Sequence, residues 1–139
     1  MSVSINLWAV LLAGIASMVI GMVYYAKPIF GAEWIKLAKI DEKRAKKDMS
    51  RVVPFVFVAA LLTAYVTAYF TFLDHAYMDN SWLAAGVATS LMLWLGLSAT
   101  TVFVHNSFDQ RPTRLTYLSL GNRLLTLLAA GLVIGWLHP

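Results

Sequence analysis

Four long apolar stretches divide this chain: Ile5–Tyr25, Val52–Leu73, Trp82–Val104 and Leu115–Leu137. Each runs 21 to 23 residues, about 32–35 Å as a helix at roughly 1.5 Å per residue, which matches a hydrocarbon core of about 30 Å. Their polar residues are too few to form a wetted face, so the pattern predicts membrane-spanning helices rather than a soluble bundle. The alternation of barrel strands is absent. The expected fold is all-α, a four-helix transmembrane bundle of up-down topology forming a single domain over residues 1–139.

Between the first two stretches the pattern changes. Within Glu33–Met49, the apolar residues Trp34, Leu37, Ala38, Ala45 and Met49 recur at spacings near three and four with Lys and Arg between them. That spacing predicts a short amphipathic helical segment at the headgroup surface, with Asp41 as an N-cap dividing it in two. Pro54 is expected in the first turn of the second span, where its missing N–H costs little.

Composition agrees with the pattern. The chain is 60% hydrophobic and 13% charged, with a mean hydropathy of +0.69, well outside the range of soluble domains. With no cysteine, disulfides, thiolate catalysis and cysteine-ligated metals are excluded. A cleaved signal peptide would carry positive charge ahead of a shorter apolar run; Met1–Asn6 holds no Lys or Arg.

Charge supplies orientation. Segment 26–51 carries Lys27, Lys36, Lys39, Lys43, Arg44, Lys46, Lys47 and Arg51 against four acids, and segment 105–114 adds Arg111 and Arg114 against Asp109. Segment 74–81 has two Asp and no Lys or Arg. Four spans put the first and third connections on one side, so the positive-inside rule places both in the cytoplasm and both termini outside. The same cations make Trp34, Lys36, Lys39, Lys43, Arg44, Lys46 and Lys47 candidates for anionic lipid headgroups; the alternative is a solvated loop that only sets topology. Nucleic acid is not expected as a partner, because basic residues beside spans are a topology signal first.

Small residues recur where helices would touch. Ala9, Ala13, Ser17 and Gly21 form one stripe, and Ala60, Ala64 and Ala68 form another beside Thr63, Thr67 and Thr71. The third stretch offers Ala84 and Ala88, Gly86 and Ser90, then Gly96 and Thr100, and the fourth ends in Gly131-Leu-Val-Ile-Gly135. Such stripes serve close packing within one bundle, or a homodimer or higher homo-oligomer. Trp94, near mid-span, is expected to bond its indole N–H to a neighbouring helix.

One charge lies inside a span. Arg123 is eight residues into the fourth stretch, with Thr116, Ser119 and Thr126 on its face and Asn122 flanking. A charge at the bilayer centre costs about 2.5–3.5 kcal/mol on insertion scales, so such a residue faces protein or water, or snorkels to headgroups. Two readings stay open: a structural tie, or an anion or lipid-phosphate site with Glu33 and Asp109 as nearby acids and His105 as a further member. The histidines and acids of the opposite loops lack metal-ligand spacing. No P-loop, HExxH or GxSxG motif occurs, and no acid lies within a span, so neither a catalytic set nor a cofactor site is expected and a proton-coupled exchanger is disfavoured.

The segment GMVYYAKPIFGAEW, from Gly21 to Trp34, resembles the opening signature of the domain of unknown function 1761 family, roughly G-x-x-W/Y-Y-x-x-x-x-F-G-x-x-W. Trp94-Leu-Gly96, the Leu120–Arg123 segment and the terminal Gly135-Trp136 are similar to its later motifs. Where the family's last helix reads I-N-x-G/A-Y, this chain has Gly121-Asn122-Arg123-Leu124. The resemblance implies a small four-span protein, mostly bacterial and so of the plasma (inner) membrane, of uncharacterised activity. The leading expectation is a non-enzymatic protein that binds lipid or a partner; the alternative is a small oligomeric transporter or channel with an inward-facing anion site at Arg123.

Overall fold

The computed structural model describes residues 2–139, which are helical almost throughout, with no strand among them. Helix α1 spans Leu7–Tyr24; a π-helical turn over Lys27–Gly31 leads into the short α2, Ala32–Ala38. Helix α3 runs Glu42–Met78, α4 covers Trp82–Leu93, a π-helical segment Trp94–Ala99 joins it to α5 over Thr100–Phe108, and α6 spans Thr113–Trp136. Four helical stretches, with α4 through α5 counted as one, are long and apolar enough to cross a membrane.

Local chemistry sets the starts. Asn6 accepts from the Trp8 and Ala9 amides at 3.0 and 3.3 Å, and its own Nδ2 donates to Leu137 O at 2.9 Å, tying the two chain ends together. Asp41 caps α3 as expected, accepting from Lys43 and Arg44 amides at 3.0 and 3.3 Å; Ser81 caps α4 through Ala84 at 3.3 Å. These side chains satisfy donors that a helix leaves unpaired in its first turn.

The second half of the basic connection differs from expectation. Beyond Asp41 it is not a separate surface helix but the beginning of α3, which is 37 residues long, about 55 Å. No glycine or proline stands between Glu42 and Val53 to break it. Pro54 therefore falls well inside the helix rather than in its first turn, where it cannot donate to Ser50 O and its ring crowds that carbonyl.

Pairing follows the small residues. Ser17 Oγ donates to Thr126 O at 2.9 Å and Tyr24 Oη to Leu118 O at 2.8 Å, so α1 and α6 run against each other. Gly14 lies against Leu61 of α3, and Val10, Ala13, Ala64, Ala68, Ala130 and Ile134 form the core where α1, α3 and α6 meet. Between α4 and α6, of the three pairs the third stretch offers, Gly86 and Ser90 are used: a Cβ at Gly86 would fall on Gly131 O, and Ser90 Oγ lies 2.8 Å from both Gly86 O and Leu127 O. Ala84 is exposed. Trp94 Nε1 donates to Leu120 O at 3.0 Å, the expected bond across helices.

The corner after α1 is built from aromatic stacking. Tyr24 is buried, its ring 4.7 Å from that of Phe30, and Trp34 packs on Tyr25 at 5.0 Å. Gly31 has an ordinary helical φ of −62° as the cap of α2. It is needed for close approach: a Cβ there would strike Tyr25 O.

Candidate functional site

Arg123 is seven residues before Ala130 and eleven before Ile134, close to whole numbers of helical turns. It therefore shares the face of α6 that carries those two residues into the core. Thr116, seven residues earlier, is also buried. Between these buried positions Arg123 is exposed.

The neighbouring helices explain why. Burial is concentrated at the end of the bundle away from the cationic connections, where Ala13, Ala64, Thr67, Ala85 and Ser90 have no accessible surface. At the basic end, Val52 through Val56 of α3 are all exposed. Five consecutive residues cover a full helical circumference, so this part of α3 has no packed face. Phe103, Val104 and His105 of α5 are exposed as well. Neither stretch has a packed face at this end, and Arg123 is left open there.

The expected acids are engaged elsewhere. Glu33 accepts from Arg114 Nε at 2.7 Å and from Nη2 at 3.2 Å. Those hydrogen bonds hold the Glu33 carboxyl below its ordinary range, since they favour the charged form. Asp109 lies 3.3 Å from His105 Nε2 and 3.7 Å from Arg111 Nε. Among the described residues, no ion pair or side-chain hydrogen bond reaches the Arg123 guanidinium.

What does gather around Arg123 is uncharged. Thr126 Oγ1 donates to Arg123 O at 3.1 Å. Asn122 Oδ1 is buried without a partner, facing Gly21, whose added Cβ would stand 3.8 Å from it. Ser119 lies beside the Tyr25 phenol, within range of the Arg123 charge. Asn122 and Thr126 thus both face Gly21 of α1, Ser119 and Arg123 lie near Tyr25, and Glu33, Asp109 and His105 are in pairs of their own. Tyr25 was missed because an aromatic at a span's end reads as an interface anchor; nothing in its spacing links it to α6.

The other cations are spread along the basic end. Lys36 lies in α2, and Lys39 follows it in the left-handed conformation at φ 54°. Lys43, Arg44, Lys46 and Lys47 occupy the exposed start of α3. Lys27 pairs with Glu42 at 3.2 Å and Arg44 with Asp48 at 3.7 Å. At the opposite end, the Trp82 indole is stacked between the His75 and His138 rings, with centroids 3.9 and 5.2 Å away. His75 Nδ1 donates to Asn80 O at 2.6 Å and Asn80 Nδ2 to Asp74 Oδ2 at 2.9 Å, so this cluster is mostly committed to itself.

No curated protein and no solved structure matches the chain. A family model described as a protein of unknown function, DUF1761, matches residues 8–135. That interval contains the aromatic corner, the π-helical segment of Trp94 and the Arg123 face. From Trp8 to Gly135, then, the chain belongs to the domain of unknown function 1761 family.

Proposed function

We propose that the protein is a single-domain, up-down membrane bundle that binds the phosphate of an anionic lipid at Arg123. Its basic end faces the cytoplasm and its termini the outside of a bacterial plasma membrane, following the positive-inside rule. The observation that carries the reading is an unpaired guanidinium on a core-facing stripe, exposed because α3 and α5 leave it uncovered.

Depth supports a headgroup ligand. The Ser17–Thr126 and Tyr24–Leu118 contacts put Arg123 level with Ile20, four residues inside Tyr24, or about 6 Å. Helical side chains tilt toward the N-terminus, which for α6 is the basic end, so the guanidinium climbs toward Tyr25 and the headgroups. A phosphate meeting it there gains charge-assisted, bidentate hydrogen bonds and offsets the cost of the buried charge. The Ser119 and Tyr25 hydroxyls are further donors at the same level. Apolar walls from Val52, Val53, Val56 and Phe103 suit the acyl chains.

The closed end argues for binding over passage. Contact between the Gly86 and Gly131 backbones, with Ala13, Ala64 and Ala85 fully buried, leaves no polar route through a single chain. The test compares the protein with Arg123→Leu and Arg123→Lys after mild detergent extraction, counting retained phospholipid by native mass spectrometry. Retention by the wild type, loss in the Leu variant and partial retention with Lys are expected. Equal lipid in all three, or anion flux in proteoliposomes that vanishes with Arg123→Leu, would overturn the reading in favour of a structural or transport role.

A further inference from the structure

The first ten residues of α3 project past the level at which α1 ends. Gly14 meets Leu61, so stepping ten residues along each antiparallel helix brings Tyr24 level with Arg51. Glu42–Ser50 then extends beyond that level by up to about 14 Å. All of it except Asp48 is exposed.

Its charges are sorted by face. Lys43, Lys47 and Arg51 are spaced four residues apart and lie along one stripe, with Lys46 beside it. None of these four cations makes an ion pair among the described residues. The acids of the same segment are already taken: Glu42 by Lys27 and Asp48 by Arg44.

The projection is also held in place. Asp41 caps it, the Lys27–Glu42 pair ties its start to the end of α1, and its other end continues into the buried Ala64–Thr71 portion of α3. The preceding segment is fixed by the Trp34–Tyr25 stack and the Glu33–Arg114 pair. A preorganised stripe loses little freedom on binding, unlike a solvated loop.

We propose that the Lys43–Lys46–Lys47–Arg51 face docks an acidic helix of a cytoplasmic protein, one with carboxylates repeating every three to four residues. Charge complementarity selects such a partner, and the stripe's length, about 12 Å from Lys43 to Arg51, matches two turns of it. The bilayer that holds the protein is a poorer occupant. Only Arg51 stands at the level of Tyr24; the three lysines rise away from it. This interaction is independent of the Arg123 site.

The experiment uses the full protein in nanodiscs of zwitterionic phosphatidylcholine and a fluorescein-labelled helical peptide bearing glutamates on one stripe, read by anisotropy at low and high salt. Salt-sensitive binding is expected, weakened about tenfold by Lys43→Glu with Lys47→Glu, while Lys36→Glu with Lys39→Glu, the same change in net charge, leaves it within about twofold. Both pairs are exposed, and intrinsic tryptophan melting shows that the variants remain folded. Equal weakening by the two pairs would overturn the proposal, leaving only general attraction. So would tighter binding of polyuridylate than of the peptide, or loss of peptide binding when phosphatidylglycerol is added to the discs, which would assign the face to RNA or to the membrane.

Discussion

Substituting Gly86 with Ala isolates the contact on which the closed end depends. The added Cβ would fall on Gly131 O and lie 2.9 Å from its carbonyl carbon and 3.5 Å from its Cα. These are backbone atoms of a helix, so the obstruction cannot rotate away and α4 must retreat from α6. Overpacking of this kind costs about 1–3 kcal/mol, and stretching the Ser90–Leu127 hydrogen bond adds about 1 kcal/mol. Alanine's helix propensity returns about 1 kcal/mol, leaving a net loss of about 1–3 kcal/mol. Gly96 is the control, because nothing stands within 4 Å of a Cβ there; Gly96→Ala gains up to about 1 kcal/mol from propensity alone. Thermal melting in detergent, followed by the fluorescence of the five tryptophans, reads both variants. At roughly 3–5 °C per kcal/mol for a chain of this size, Gly86→Ala should melt roughly 3–15 °C below wild type and Gly96→Ala at or above it. A Gly86→Ala protein melting within about 2 °C of wild type would refute the reasoning, as would a larger fall at Gly96.

Three further outcomes follow from other contacts. A Cβ on Gly121 would stand 2.7 Å from Tyr24 Oη, so Gly121→Ala should destabilise; Tyr24→Phe alone should cost about 0.5–1.5 kcal/mol through the lost bond to Leu118, and the double variant should be more stable than the sum of the two, which a double-mutant melting cycle measures. Arg114 lowers the Glu33 carboxyl, so the pair stabilises the fold fully above the unfolded carboxylate value of about 4.3 and loses that contribution as pH falls through the lower folded value; the melting difference between wild type and Glu33→Gln should persist at neutral pH and close in acid, and a constant difference at all pH would contradict it. Gln110 sits at φ 53°, strained for a side chain with a Cβ, so Gln110→Gly should stabilise by up to about 1 kcal/mol, and a lower melting temperature would show that the turn relies on the side chain instead.

Much of the architecture was legible before any coordinates. Run length alone specifies helices, because an apolar helix buries its own backbone polarity without help from neighbours. The capping role of Asp41 could be read locally, since its side chain serves amides two and three residues on. Trp94 could be assigned a cross-helix bond because an indole N–H within an apolar run has few other outlets. The Thr116, Ser119, Asn122, Arg123 and Thr126 grouping was also visible, being a matter of 3.6-residue periodicity.

What the one-dimensional pattern left open depends on neighbours far along the chain. Three pairs of small residues were available in the third stretch, and only the Gly131 backbone, lying against Gly86, selects among them. Nothing local to Tyr24 shows that its hydroxyl donates to Leu118 O, 94 residues away. Glu33 and Asp109 look like partners for Arg123 by depth, yet Arg114 and His105 are nearer. Pro54 seemed to open a span, but a helix begun at Asp41 runs through it. The length of an apolar run therefore determined which segments become helices, because that follows from each residue's own solvation. Whether Arg123 would be sealed or left open was decided only by how α3 and α5 lean on the other helices, a matter of packing between distant residues.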